Sequence, residues 1–272
     1  SRMKLIKLDY EKRVPSQNSS SKGNQPKWQV KKNWYKADFM GYEALAEVVI
    51  SRLLKLSNLN DFVEYEPVML EYEDKRAVGC ISVNFREKNM SLITLEHLYR
   101  AYNGKSLSEA LGRLAEVKDR IEFTVNFIEE TTGLKNAGAY LATLIELDAF
   151  FLNEDRHTNN IALLYNEDSE QYAFAPVFDN GLALLSDLND YPADEDIFSC
   201  MKRIKAKPFS TDFDEQLDVA EELYGCQVRF NFTNRNVESA FEDMAEYYDG
   251  AVISRAKNIL FQQMRKYGYM FE

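Results

Sequence analysis

Between Asn136 and Gly181 lies the arrangement that most limits the fold: an apolar run, a short polar loop, two β-rich runs about a turn, and an acidic turn after them. Asn136 to Leu152 holds Tyr140, Leu141, Leu144, Ile145 and Leu147, a density of apolar side chains that predicts a buried helix. Ile161 to Tyr165 and Tyr172 to Phe178 are apolar and aromatic, and Asn166-Glu-Asp-Ser-Glu170 between them is turn-forming, so the pair reads as a hairpin. A hairpin brings its two ends together. Asp155 and Asn160 precede its first strand and Asp179 follows its second, so three oxygen-bearing side chains are expected at one end of a small sheet.

Those three residues suit phosphoryl transfer, which needs a carboxylate to orient or deprotonate a hydroxyl and hard oxygen ligands for Mg²⁺. Asp155-Arg156-His157 followed by Asn160 matches the D-R-H-x-x-N of the atypical kinases residue for residue, and Asp179-Asn180-Gly181 resembles their D-x-G. The chain is thus similar to the phosphoinositide-kinase group and to the bacterial HipA-like (CtkA-like) serine/threonine kinases. Ala206-Lys-Pro-Phe-Ser210 is a further short segment of that similarity. The resemblance implies ATP and Mg²⁺ as cofactors and Asp155 as the acceptor-orienting carboxylate. Arg156 and His157 then shape the catalytic loop or contact phosphate, and Asn160 and Asp179 hold the metal. Phe178 before the aspartate and Asn180 after it depart from the common form while keeping the ligand. Either half alone is a common turn; both in order, with a hairpin between them and an apolar helix before them, are specific.

The first ninety residues are read with that chemistry in mind. Ser16-Gln-Asn-Ser-Ser-Ser-Lys-Gly-Asn-Gln-Pro26 is small and polar and reads as a phosphate-covering loop, in which Gly23 and Ser21 permit close backbone approach. A modifiable serine among Ser16, Ser19, Ser20 and Ser21 is what the resemblance implies for autophosphorylation, which would add negative charge beside the triphosphate. Strand-like Lys27 to Lys31 and Trp34 to Lys36 follow, in a stretch rich in lysine. Lys36 is the candidate for the lysine that contacts the α and β phosphates. Glu43 and Glu47, four apart on a helix read from Tyr42 to Leu56, are the carboxylates able to hold it, with Glu47 preferred. Strands are read at Phe62 to Glu73 and Arg76 to Phe85, and the resemblance places the adenine-contacting hinge at Ser82, Asn84 and Phe85. Helical spacing is read at Ser106 to Glu130, Phe213 to Tyr224 and Asn236 to Tyr267.

Composition narrows the class. The 272 residues carry a net charge of −11, which argues against nucleic acid or an anionic membrane as the primary ligand. Cys80, Cys200 and Cys226 are three and widely spaced, against a disulfide framework and for a reducing, cytoplasmic compartment, a secreted effector being the other reading. The longest apolar runs fall short of a membrane span, and no charged-then-apolar leader is read at the start.

The expected fold is α+β and two-lobed, kinase-like: a small antiparallel β lobe over 1–88 and a larger, mostly helical lobe over 89–272. The expected activity is a protein serine/threonine kinase with ATP and a protein substrate, and with an antitoxin or a host target as further partners. The alternatives are a lipid or small-molecule kinase, and a nucleotide-binding pseudokinase serving as an interaction module.

Overall fold

The computed structural model describes residues 3–15 and 25–271. In chain order the elements are β1 (Leu5–Lys7), β2 (Lys27–Val30), β3 (Asn33–Ala37), α1 (Glu43–Leu54), β4 (Glu66–Tyr72), β5 (Lys75–Val83), β6 (Met90–Thr94), α2 (Leu95–Asn103), α3 (Leu107–Gly112), α4 (Val117–Thr132), α5 (Ala137–Phe151), β7 (Ala162–Asn166), β8 (Gln171–Phe174), α6 (Ile197–Arg203), α7 (Phe213–Tyr224), α8 (Asn234–Ala240) and α9 (Gly250–Lys266). They fall into two compact units. The first takes residues up to Asn84, Phe178–Ile204 and the chain from Arg229 onward; the second takes Phe85–Val177 and Lys205–Val228. The first unit is thus assembled from three separate stretches of chain and the second from two.

In the first unit, five strands lie in the order β1-β4-β5-β3-β2, all pairs antiparallel except the β1/β4 edge. One face buries Trp28, Tyr35, Val68, Leu70 and Tyr72, with the Trp28 and Tyr72 rings 4.6 Å apart. Helix α1 packs on β3, β4 and β5 and is also touched by α8, so it is buried nearly all round instead of along one stripe. For that reason neither Glu43 nor Glu47 is the solvent-facing helix glutamate that its residue type would suggest.

In the second unit, β6-β7-β8 form a three-stranded antiparallel sheet against the helices. The β7/β8 hairpin forms as its turn chemistry requires, with Asn166 Oδ1 accepting from the amides of Asp168 and Ser169 at 2.9 and 3.0 Å. Its second strand stops at Phe174 instead of Phe178, because Pro176 has no N–H to give the ladder. Asp179 lies five residues past the end of the ladder, in the Phe178–Ile204 segment of the first unit. Two long expected helices are each broken. Ser106 to Glu130 divides into α3 and α4 after Gly112, and Asn236 to Tyr267 divides into α8 and α9, where Asp249 caps the new start through Val252 N at 3.0 Å. Strands β1 and β6 are additions, short segments whose pairing comes from distant partners. No helix of the described residues is long and apolar enough to cross a membrane.

Candidate active site

Pairing in β3 sets Lys36 opposite Lys27 on one side and Cys80 on the other. Its side chain is buried and donates to Glu47 Oε2 at 2.7 Å and to Asp179 Oδ1, while Tyr65 presents its ring 5.3 Å from the ammonium. Burial disfavours the ammonium ion, but the carboxylates of Asp179 and Glu47 together outweigh it, and Lys36 is held well above the ordinary lysine value. Glu47 is tied at both oxygens, since Oε1 accepts the Asn180 amide at 2.5 Å. One helix carboxylate thus fixes a strand lysine and the backbone of the acidic turn together. Asp179 itself sits at φ 60°, a conformation that a non-glycine residue holds only under constraint from its surroundings.

The choice between the two glutamates is decided by geometry. Glu43 accepts the amides of Phe39, Met40 and Gly41 at 3.0, 2.9 and 2.7 Å and so serves the turn before α1. Gly41 admits no side chain there: a Cβ would lie 1.9 Å from the Ser186 carbonyl oxygen. Close approach recurs at Gly181, whose Cβ would stand 3.3 Å from that of Glu43.

In the second unit, the loop after α5 holds Asp155, Arg156, His157 and Asn160. Leu152 closes α5 in a left-handed conformation, and Asn153 Oδ1 then accepts the Asp155 amide at 3.1 Å. Asn160 Nδ2 donates to the Asp155 carbonyl at 2.6 Å and to its Oδ2 at 3.2 Å, which leaves the amide oxygen as the atom Asn160 offers a cation. His157 Nε2 stands 3.7 Å from Asp155 Oδ1, and its Nδ1 accepts the Asn159 amide at 3.2 Å. Arg156 points inward. Its Nε and one terminal nitrogen meet Asp148 on α5 at 3.1 to 3.3 Å, and the other terminal nitrogen reaches the Asn160 carbonyl at 3.1 Å. Both members of this pair are buried, and the guanidinium ties the loop to α5. Thr158 adds a second anchor by donating to Glu96 at 3.1 Å, the carboxylate that also takes Ser106 Oγ and the amides of Leu107 and Ser108.

Of the hinge residues, Ser82 is an interior strand position opposite Trp34. Asn84 gives its amide to the Lys32 carbonyl at 2.6 Å, and the first unit ends there, with Phe85 opening the second. Gly23, Ser21 and the other serines of the expected phosphate loop lie outside the described residues. Asp148 and Glu96 were not expected. Asp148 had a signal in the sequence: a carboxylate inside an otherwise apolar helix must find a partner, and Arg156 follows eight residues later. Glu96 had none, because only the fold brings α2 beneath the loop.

Comparison with solved structures gives a proinflammatory kinase of Helicobacter pylori, CtkA, at a TM-score of 0.61 and 17% identity, over 89% of this chain and 90% of that one. The fold is kinase-like. At that identity the kinase-like fold is what the likeness carries, and the residues above are assigned on their own geometry. No protein-family model matches the chain, and no curated protein matches it.

Proposed function

We propose that this protein is a phosphotransferase that moves the γ-phosphoryl group of ATP to a serine or threonine hydroxyl of a protein. The observation that carries this reading is the buried Lys36–Glu47–Asp179 cluster. A lysine kept protonated by two carboxylates on a strand of the first sheet is the group that phosphoryl transfer uses against the charge of the α and β phosphates. In this reading Asp155 orients the acceptor hydroxyl and takes up its proton. Arg156 and Asp148 hold its loop, and Asn160 fixes the carboxylate through Nδ2. The Asn160 amide oxygen and the Asp179 carboxylate are each hard oxygen donors of the kind Mg²⁺ takes, and a bound Mg²⁺ would neutralise charge developing on the transferred phosphate. Lys36 then exchanges part of its hold on Asp179 for the nucleotide.

The net charge of −11 favours a protein acceptor over a lipid in an anionic bilayer. A cytoplasmic setting, with a second protein that restrains the enzyme, fits the same reading. Incubation with Mg²⁺ and γ-labelled ATP, with and without cell lysate, tests it: label is expected in protein, in the enzyme itself or in a lysate component. Label in lipid replaces the acceptor class, and absence of both label and Mg²⁺-dependent ATP binding refutes the assignment.

A further inference from the structure

Helix α5 carries a second carboxylate, Glu146, that the proposed reaction does not use. Helix α7 lies close enough to α5 that a Cβ on Gly138 would fall 2.3 Å from the Tyr224 ring, and it ends at Gly225, which at φ 81° turns the chain back across α5. Two amides of the returning segment, Gln227 and Val228, donate to Glu146 Oε1 at 2.9 and 3.2 Å and fix the plane of the carboxylate. The side chain is fully buried, and its other oxygen, Oε2, has no hydrogen-bond donor. Beside the Glu146 carboxylate stand a carboxylate oxygen of Glu221, on α7, and Cys226 Sγ, just past Gly225, with one ligand atom from each residue lying within 4.8 Å of the others.

A buried carboxylate oxygen facing a second carboxylate is stable only with a proton or a cation in the gap. We propose that Glu146, Glu221 and Cys226 form a binding site for a divalent cation of the zinc class. One thiolate among two carboxylates selects a borderline-soft ion over Mg²⁺ or Ca²⁺, which take oxygen alone. Around Zn²⁺, with metal–oxygen and metal–sulfur distances of about 2.0 and 2.3 Å, the ligand atoms stand roughly 3.5 Å apart, a contraction that side-chain rotation supplies. Cys226 is exposed and gives the ion its way in, and water completes the tetrahedron. Burial and Glu221 push the Glu146 carboxyl up to about 8, so in the metal-free protein the carboxyl pair holds a proton. Metal entry releases that proton and the thiol proton of Cys226. The bound ion ties α7 and the segment after it to α5, the helix that delivers the Asp155 loop.

Titration of the full chain with Co²⁺ and Zn²⁺ decides the matter. Co²⁺ is expected to give a sulfur-to-cobalt charge-transfer band that Zn²⁺ displaces and excess Mg²⁺ does not, and Zn²⁺ is expected to raise the melting temperature. Cys226→Ser should abolish the band. Glu146→Gln should weaken Zn²⁺ binding by at least about tenfold, the loss seen even for residues that only support a ligand. Absence of the band, its survival in Cys226→Ser, Zn²⁺ affinity unchanged in Glu146→Gln, or a melting temperature indifferent to Zn²⁺ each overturns the site and leaves a proton-sharing carboxyl pair in its place.

Discussion

Replacing Arg156 with methionine separates two roles that its place in the loop motif allows, contact with phosphate and support of the loop. The wild-type guanidinium makes three nitrogen–oxygen contacts with Asp148 at 3.1 to 3.3 Å and a fourth with the Asn160 carbonyl at 3.1 Å. Arg156 and Asp148 are 2% and 1% exposed, so neither charge can turn to water when the other is removed. Breaking a buried pair from one side is expected to destabilise the fold by about 3–5 kcal/mol. With a urea slope of about 3 kcal/mol/M, the unfolding midpoint should fall by roughly 1 to 1.7 M. Asp148→Leu combined with Arg156→Met removes both charges, and apolar packing should then bring stability back to within about 1 kcal/mol of wild type. Turnover should return only in part, because the Asn160 carbonyl still lacks its donor. Urea denaturation of the two single variants and the double variant, beside ATP turnover, gives the readout. A stability loss below about 1 kcal/mol in Arg156→Met, with turnover abolished, refutes the structural role and returns Arg156 to the reacting groups.

Asp155→Asn should keep Mg²⁺-dependent ATP affinity within a few-fold in calorimetry while lowering turnover by at least about a hundredfold, since its carboxylate serves the acceptor; equal turnover would remove Asp155 from the mechanism. Lys36→Ala should weaken ATP binding, and Lys36→Arg should not restore it, because a planar fork cannot replace a compact ammonium between Glu47 and Asp179; a silent Lys36→Ala beside an inactive Lys27→Ala would show that the phosphate lysine is elsewhere. Gly79→Ala should destabilise by about 1–3 kcal/mol in urea denaturation and disturb Lys36, because the new Cβ would lie 2.4 Å from both the Lys36 carbonyl oxygen and Leu70 Cδ1. In metal-free protein, Glu146 contributes stability that is fully present below its ordinary value of 4.5 and is lost as pH rises through about 8, so the melting temperature should fall across that window. Glu146→Gln should flatten the fall, with Glu221 and Cys226 left as the groups facing the site; parallel curves for variant and wild type would count against the raised carboxyl.

The local elements were legible in the order of the residues alone. The apolar run before the D-R-H loop is α5, the turn cluster at Asn166 to Glu170 is the hairpin turn, and Phe213 to Tyr224 is a helix over the same span. Each of these follows from period, turn chemistry or capping, which act over a few residues and are written in neighbouring positions. Tertiary structure decided everything that depends on partners far along the chain. Glu43 and Glu47 stand four apart on one helix, but burial of α1 from more than one side made Glu47 the partner of Lys36 across 11 residues and of the Asn180 amide across 133, leaving Glu43 to three local amides. Pro176 ended a strand that pattern alone would have continued, and Phe178–Ile204 joined the first unit. Asp148 became the counter-ion of Arg156, and Glu146 met Glu221 and Cys226, because helices pack by shape and a buried charge takes whichever partner the packing brings within reach.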